Sequence, residues 1–282
     1  MRKEKFIFCL ATALAIGATP IWAQNYTTID YPGAVSTAID GGPSPQGDVV
    51  GTYVDTKNKS HGFILSNKGD FMSIDYPGAT STAVNGWVNP SGDIIGQYTD
   101  STNKTHGFLL RDGVFSTIDY PGATSTVIGG INPGGEMIGT FCVGPQCNAF
   151  TLDKGVFTPI TFPGAVIPFG ATVNPSGDTV SNCGVSGKSY ICLIANGQLT
   201  LVYFPGSTGT SAGAGNPEND VVGGFTDQTF NTHGFIWTGG VYTQLDVPGA
   251  IYTYATGISP KKEVVGQYLD TLGKSHGFIV RP

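Results

Sequence analysis

The chain has 282 residues, of which 42 are Gly and 18 are Pro, while only 12% are charged. After Ala23, no stretch free of Gly and Pro exceeds ten residues, whereas a mean α-helix needs about 11–12. This excludes helix bundles, doubly wound nucleotide-binding folds and TIM barrels. The content of 40% hydrophobic and 11% aromatic residues can build a core and argues against disorder. An all-β protein is therefore expected.

The first 23 residues have the three-part pattern of a secretory signal peptide. Residues 1–5 are net positive, residues 6–19 form an apolar run, and Ala23 gives a small residue at the expected cleavage site. The run is shorter than the roughly 20 apolar residues of a membrane span, and no later segment is long enough to be one. We predict a signal peptide at 1–23 and a single six-repeat domain at 24–282, secreted or periplasmic in a bacterium.

The charge balance bears on the partners of the mature chain. Removing residues 1–23 takes away three basic residues and one acidic residue, which changes the balance from 14 Lys+Arg and 20 Asp+Glu to 11 and 19. An acidic surface lacks the basic stripe that phosphate groups require. Nucleic acid and anionic lipid surfaces are therefore not expected as partners.

Two short motifs recur along the chain. Copies of Asp-Tyr-Pro-Gly-Ala, three of them complete and three divergent, begin at residues 30, 75, 119, 161, 203 and 246. The second motif, His-Gly-Phe, stands at 61–63, 106–108, 233–235 and 276–278, and is replaced at 148–150 and 190–192. The period is close to the roughly 40–45 residues of a four-stranded propeller blade. Six repeats of this length predict a β-propeller.

Each repeat divides into four strand-sized segments, which we name a, b, c and d. In the second repeat they are residues 81–88, 93–99, 105–111 and 114–120. The mature chain opens with a lone d segment at 26–31 and ends with a lone a-b-c set. We predict an all-β, six-bladed β-propeller of four-stranded blades, closed by the N-terminal strand pairing with residues 275–280 to complete the last blade.

All four histidines occupy one repeat position, and each has an Asp six residues upstream, in the pairs Asp55/His61, Asp100/His106, Asp227/His233 and Asp270/His276. The Asp ends strand b and the His begins strand c, so we predict a structural hydrogen bond across the b–c turn. The other two repeats carry cysteines there, which predict the disulfides Cys142–Cys147 and Cys183–Cys192.

Metal binding and catalysis are weighed against these structural roles. A zinc site is disfavoured because the cysteine pairs lie in different blades, and calcium because Lys59, Lys104 and Lys274 follow the Asp residues. Recurrent positions account for 17 of the 19 mature carboxylates, which leaves Asp40 and Glu218 in different repeats. The Gly-x-Ser-x-Gly match at 209–213 lacks the helix that a nucleophile elbow requires. We predict no catalytic, cofactor-binding or metal-binding residue.

A ligand face can be proposed from the turns. The d–a and b–c turns emerge on one face, which we call the Pro-Gly face, and the a–b and c–d turns on the other, which we call the a–b face. Aromatics beside hydroxyls suit stacking on sugar rings, although such aromatics more often fill gaps between blades. The candidate ligand residues are Tyr31, Tyr76, Thr80, Ser81, Tyr120, Thr124 and Ser125.

The His-Gly-Phe motifs, with Gly-x-Tyr-x-Asp upstream at 51–55, 96–100 and 266–270, resemble the HAF-type bacterial extracellular repeat proteins. The resemblance implies export and β-repeat structure, and it implies no activity. The leading hypothesis is a secreted, non-enzymatic propeller that binds an extracellular ligand such as a glycan or a surface protein. The alternatives are a carbohydrate-active propeller enzyme (hydrolase or lyase) and a purely structural surface or matrix protein.

Overall fold

The structure, a computed structural model, describes residues 25–160, 166–185 and 187–282, with the side chains of 166–171 excepted. Within these ranges all regular secondary-structure elements are β-strands. The predicted signal peptide and the divergent Pro-Gly motif at 161–165 lie outside the described residues. In the described part of the chain, no helix is long and apolar enough to cross a membrane.

Four of the sheets are antiparallel, contain four strands each and follow the chain order. The first two consist of β2 (Ser36–Gly41), β3 (Val49–Val54), β4 (Ser60–Leu65) and β5 (Phe71–Ile74), then β6 (Ser81–Asn85), β7 (Ile94–Thr99), β8 (Thr105–Arg111) and β9 (Val114–Ile118). The next two consist of β10 (Ser125–Ile131), β11 (Met137–Val143), β12 (Gln146–Asp153) and β13 (Val156–Pro159), then β14 (Val166–Val173), β15 (Thr179–Val185), β16 (Lys188–Ala195) and β17 (Gln198–Val202).

The remaining eight strands belong to one sheet. They are β18 (Gly209–Gly215), β19 (Val221–Thr226), β20 (Thr232–Thr238), β21 (Val241–Leu245), β22 (Tyr252–Ile258), β23 (Val264–Leu269), β24 (Ser275–Arg281) and β1 (Asn25–Ile29). A single parallel residue pair, Thr232 with Tyr252, joins β20 to β22. The prediction of four-stranded blades is therefore confirmed for four sheets, while this pair merges the other two strand sets. The arrangement is all-β and propeller-like.

The N-terminal strand lies at one edge of the eight-stranded sheet. β1 pairs antiparallel with β24, with Asn25 opposite Arg281, Thr27 opposite Ile279 and Ile29 opposite Gly277. The predicted pairing of residues 26–29 with the last strand is therefore confirmed. It joins segments about 250 positions apart in the sequence, so the N-terminal segment is held by a ladder of backbone hydrogen bonds.

The core is built from the phenylalanine of each His-Gly-Phe motif. All four of these rings are fully buried (Phe63, Phe108, Phe235 and Phe278), and so is Phe150 of the Asn-Ala-Phe segment that replaces the motif in the third repeat. A glycine on the preceding strand makes room for the ring, since a Cβ added at Gly51 would lie 2.8 Å from Phe63. Burying one such side chain stabilises the fold by about 1.5–3 kcal/mol. The motif therefore specifies packing.

The a strands of the repeats stand side by side around the centre. In β2, β10 and β22 the register with the next strand shifts by one residue, between Ile39 and Gly41 in the first case. Such a β-bulge leaves one residue outside the ladder and redirects its side chain. The bulged residues are Asp40, Gly129 and Thr256.

Candidate functional site

A cavity of about 460 Å³ lies where the a strands meet. Its lining includes the proline of each a–b turn: Pro45, Pro90, Pro133, Pro175, Pro217 and Pro260. Because these prolines follow the ends of the a strands, the rim of the cavity lies on the a–b face. This is the face opposite to the one on which the sequence placed the candidate ligand residues.

Most polar side chains in the described wall are engaged in holding neighbouring strands together. Three donate to a carbonyl of a neighbouring a strand: Asn85 Nδ2 to Ile128 at 3.0 Å, Tyr254 Oη to Ala212 at 2.6 Å and Thr256 Oγ1 to Ile39 at 2.7 Å. The rest of the wall is largely glycine backbone, proline rings and aliphatic side chains such as Val127 and Ile258. The cavity is therefore predominantly apolar.

Asp40 is the one carboxyl group in the described wall, and no Lys, Arg or His side chain of the described residues lines it. Burial raises the pKa of Asp40 to about 7, and the nearby Thr52 hydroxyl offsets part of this rise. Asp40 and Glu218 are the two mature carboxylates that do not occupy a recurrent position of the repeats. The structure places Asp40 in the cavity, whereas Glu218 does not line it.

Trp87 also lines the cavity, in the segment that follows β6. Its indole Nε1 is buried, and no acceptor for it is present among the described residues. Sequence reasoning missed this residue. The sequence did offer a signal: Trp87 is the single tryptophan near an a–b turn. The sixth repeat has the aliphatic residue Ile258 at the corresponding place.

The predicted Asp–His contacts are present in all four repeats. The Nε2 atom of each histidine lies 3.3–3.4 Å from the Asp six residues upstream, in the pairs Asp55/His61, Asp100/His106, Asp227/His233 and Asp270/His276. Each Asp also accepts backbone N–H groups of its own turn, as Asp55 does from Lys57 and Lys59, both at 2.8 Å. These turn hydrogen bonds, with the histidine beside them, hold the pKa of Asp55 below its usual range.

A second carboxylate that sequence reasoning missed faces the other nitrogen of each ring. The Nδ1 atoms lie 2.6–3.0 Å from the Asp of the Pro-Gly motif: His61 from Asp75, His106 from Asp119, His233 from Asp246 and His276 from Asp30. The sequence carried the signal, since the two repeats without His have Thr161 and Tyr203 in place of this Asp. Each of the four rings therefore has a carboxylate beside both of its nitrogens.

His233 shows the electrostatic consequence. Its burial lowers the pKa, but hydrogen bonds with Asp246 and Asp227 outweigh this, so the pKa is raised. These clusters lie at the b–c turns on the Pro-Gly face, outside the central cavity. In the described residues, no group of three or more His, Cys, Asp or Glu side chains is arranged to hold a metal ion. The arrangement acts as a polar cross-link between strands b, c and d.

Both predicted disulfides are present. Cys142 and Cys147 face each other across β11 and β12 with a Cα separation of 4.0 Å, and Cys183 and Cys192 are separated by 5.8 Å. They occur in the two repeats that lack the Asp–His–Asp contacts. Covalent cross-links therefore replace polar ones at the same hairpins.

The aromatic candidates on the Pro-Gly face are packed within the protein. Tyr31 stacks on Tyr53, Tyr76 on Tyr98 and Tyr120 on Phe141, at ring-centroid distances of 3.6–3.7 Å. This fits the interpretation that the aromatics fill the core between sheets.

The hydroxyl candidates are partly engaged as well. Thr80 donates to the Thr99 carbonyl at 3.0 Å and Thr124 to the Cys142 carbonyl at 2.9 Å, while Ser81 and Ser125 begin strands. None of the seven predicted ligand residues lines the central cavity. The Gly-x-Ser-x-Gly match at 209–213 lies in strand β18, so the Ser does not stand on a strand-to-helix turn.

No protein-family model and no curated protein sequence matches the chain. Solved structures match in fold. TolB from Acinetobacter baumannii is 12% identical with a TM-score of 0.57, over 89% of this chain and 64% of TolB, so the chain covers less than two thirds of that protein.

Two further solved structures of similar fold are a lectin and a lyase. A lectin from Aleuria aurantia, described as a six-bladed β-propeller that recognises fucose, is 11% identical with a TM-score of 0.55, over 91% of this chain and 98% of the lectin. A virginiamycin B lyase from Staphylococcus aureus is 15% identical with a TM-score of 0.50, over 90% and 88%. Identities this low establish the fold alone. The chain is an all-β protein with a propeller-like arrangement of four-stranded sheets.

Proposed function

We propose that this chain is an exported, non-enzymatic propeller that binds a small extracellular ligand in its central cavity, entered from the a–b face. The cavity itself carries the proposal. A volume of about 460 Å³, a mainly apolar wall and a few convergent polar groups are typical of small-molecule sites. Asp40, Trp87 and Gln97 are the described wall residues whose polar groups form no hydrogen bond to the backbone of a neighbouring strand.

We further propose that the blades number six and form a closed ring. The eight-stranded sheet is divisible into two sets of four, since one residue pair joins β20 to β22. Two hydrogen bonds link the last repeat to the first: Thr256 donates to the Ile39 carbonyl at 2.7 Å, and Ser275 donates to the Thr37 carbonyl at 3.0 Å. A ring with such contacts leaves no long unpaired edge.

Export and membership of the HAF-type extracellular repeat proteins belong to the same proposal. The signal-peptide pattern at 1–23 and the recurring His-Gly-Phe motifs support it. Two disulfides fit an oxidising compartment, either periplasmic or extracellular. A binding role is favoured over hydrolysis of glycosides because the described wall offers one carboxyl group, and that chemistry uses two.

A glycan is a second candidate ligand, supported by the lectin of the same fold and by an indole ring in the cavity wall. In this version, Trp87 stacks on the apolar face of a sugar ring. A glycan array and a small-molecule thermal-shift screen on residues 24–282 would together find a ligand of either kind.

A cavity-filling variant tests the site. Val127 lines the cavity, and the sixth repeat has Tyr254 at the equivalent position. Val127→Tyr places an aromatic ring at this position of the wall, and we expect it to abolish binding of the ligand found by the screen. Ser81→Lys on the Pro-Gly face is the matched control and should leave the affinity unchanged. Binding retained by Val127→Tyr and lost in Ser81→Lys would contradict the proposal.

A further inference from the structure

We infer that the ligand of the central cavity is an organic cation, with an ammonium group paired to the Asp40 carboxylate and an apolar body packed against Trp87. This inference rests on the proposed function, because it names the ligand class of the same cavity.

The charge of the wall carries the first step. Asp40 has no cationic partner among the described residues, and the described wall contains no basic side chain. A carboxylate in an apolar surrounding is stabilised by pairing with a charge of opposite sign. A cationic ligand supplies that charge, whereas an anionic ligand would be repelled. Burial raises the pKa of Asp40 to about 7, as expected for a buried carboxyl group that has no neighbouring cation.

The position of Asp40 carries the second step. It stands at the β-bulge of β2, and the equivalent residue of the sixth repeat is Thr256. In the second repeat, residues 81–85 align with residues 36–40, so the equivalent of Asp40 is Asn85. Both equivalents donate a hydrogen bond to a neighbouring backbone carbonyl. Asp40 forms no such bond to a backbone carbonyl in the described structure, and its ionised form has no proton to donate. Asp40 therefore does not serve the strand-joining role that its equivalents serve.

The rest of the wall favours an apolar cation over a neutral sugar. The donors of Asn85, Tyr254 and Thr256 are already engaged with backbone carbonyls, which leaves few partners for the many hydroxyl groups of a sugar. Proline rings and aliphatic side chains provide the surface that an apolar body needs. The indole of Trp87 is the aromatic ring best suited to attract a cation.

Titration calorimetry on residues 24–282 at pH 8 tests the inference with benzyltrimethylammonium and benzylamine as cations and benzyl alcohol as the neutral probe. We expect both cations to bind at least ten-fold more tightly than benzyl alcohol. Asp40→Asn, which installs the amide that the second repeat carries as Asn85, should weaken cation binding at least ten-fold. Glu218→Gln, at the other carboxylate without a recurrent role, is the matched control and should leave it unchanged.

The pH dependence gives a second readout. Cation affinity should fall as the pH drops through about 7, because Asp40 becomes protonated. The other titratable side chain of the described wall is Tyr254, and burial raises its pKa to about 12, so it stays neutral throughout. In Asp40→Asn the residual affinity for the cations should be independent of pH over this range.

The outcomes separate the two proposals. Equal affinity of wild type and Asp40→Asn for the cations, or no cation binding at all, overturns the cation inference. If fucose binds instead, and Val127→Tyr abolishes its binding while Asp40→Asn does not, the cation inference fails and the cavity proposal stands. If a ligand binds and Val127→Tyr leaves its affinity unchanged, both proposals fail.

Discussion

Replacing Asp40 by Asn should stabilise the protein, and the gain should grow with pH. Burial raises the pKa of this carboxyl from 3.8 to about 7, so the native state holds the proton more tightly than the unfolded chain does. Stability therefore decreases as the pH rises from about 4 to about 7, and the full penalty is present above 7. This is the reverse of the usual carboxylate, whose ionised form is stabilised by folding.

The magnitude follows from the pKa shift. Three pKa units correspond to an upper bound of about 4 kcal/mol, at about 1.36 kcal/mol per unit. Asp40 is partly accessible from the cavity, and water there screens the charge, so we expect about 1–3 kcal/mol at pH 8. At pH 4 the two variants should differ little, because Asp40 is then protonated in the native state and the pH has only just passed its unfolded pKa of 3.8, so little of the penalty has developed.

Urea unfolding of wild type and Asp40→Asn at pH 4 and pH 8, with the disulfides intact, measures this difference. Comparing the two proteins at each pH cancels the titration of every other group. Glu218→Gln serves as the control and should show no pH-dependent gain. A gain of equal size at both pH values, or a less stable Asp40→Asn at pH 8, would refute the reasoning.

The remaining predictions concern the cross-links. Replacing Cys142 and Cys147 together by Ser should lower the unfolding free energy by at most about 2–3 kcal/mol, since the loop that the disulfide closes is short. Mass spectrometry of the oxidised wild type should find no free thiol in the mature chain. Four free thiols would contradict the assignment of the two disulfides. Asp30→Ala should lower the Tm because it removes a contact of the N-terminal segment with His276, while Asp70→Ala at an exposed position should not. Equal Tm values of Asp30→Ala and wild type would show that this contact contributes nothing. Deleting residues 24–31 should destabilise the protein far more than an ordinary terminal truncation, because β1 then no longer pairs with β24; an unchanged Tm on thermal unfolding would argue against the closed ring.

The repeat architecture could be predicted because its determinants are local. The Pro-Gly turns, the His-Gly-Phe motifs and the cysteine pairs each act within one hairpin, so their spacing along the chain reports strand length directly. The second carboxylate at each histidine was equally visible, since Asp75 and its equivalents occur only in repeats that have the histidine. It was missed because the Pro-Gly turn already offered a role for that residue.

The packing of the aromatic candidates on the Pro-Gly face could not be read from their sequence neighbourhood. Tyr31, Tyr76 and Tyr120 lie beside hydroxyl residues in the chain, but each ring stacks on a ring from strand b. The cavity could not be located either. The sequence left Asp40 without a structural role, but it did not show where its side chain lies. Asp40 lines the cavity at a β-bulge of β2, and the spacing of the repeats does not encode that register shift.

A crystal structure of residues 24–282 soaked with benzyltrimethylammonium at pH 8 is the most direct test of binding in the central cavity. We predict density for the ligand in the cavity where the a strands meet, with its nitrogen in ion-pair contact with the Asp40 carboxylate and its aromatic ring against Trp87. An empty cavity, with the ligand bound instead beside Tyr76 and Ser81 on the Pro-Gly face, would contradict the account.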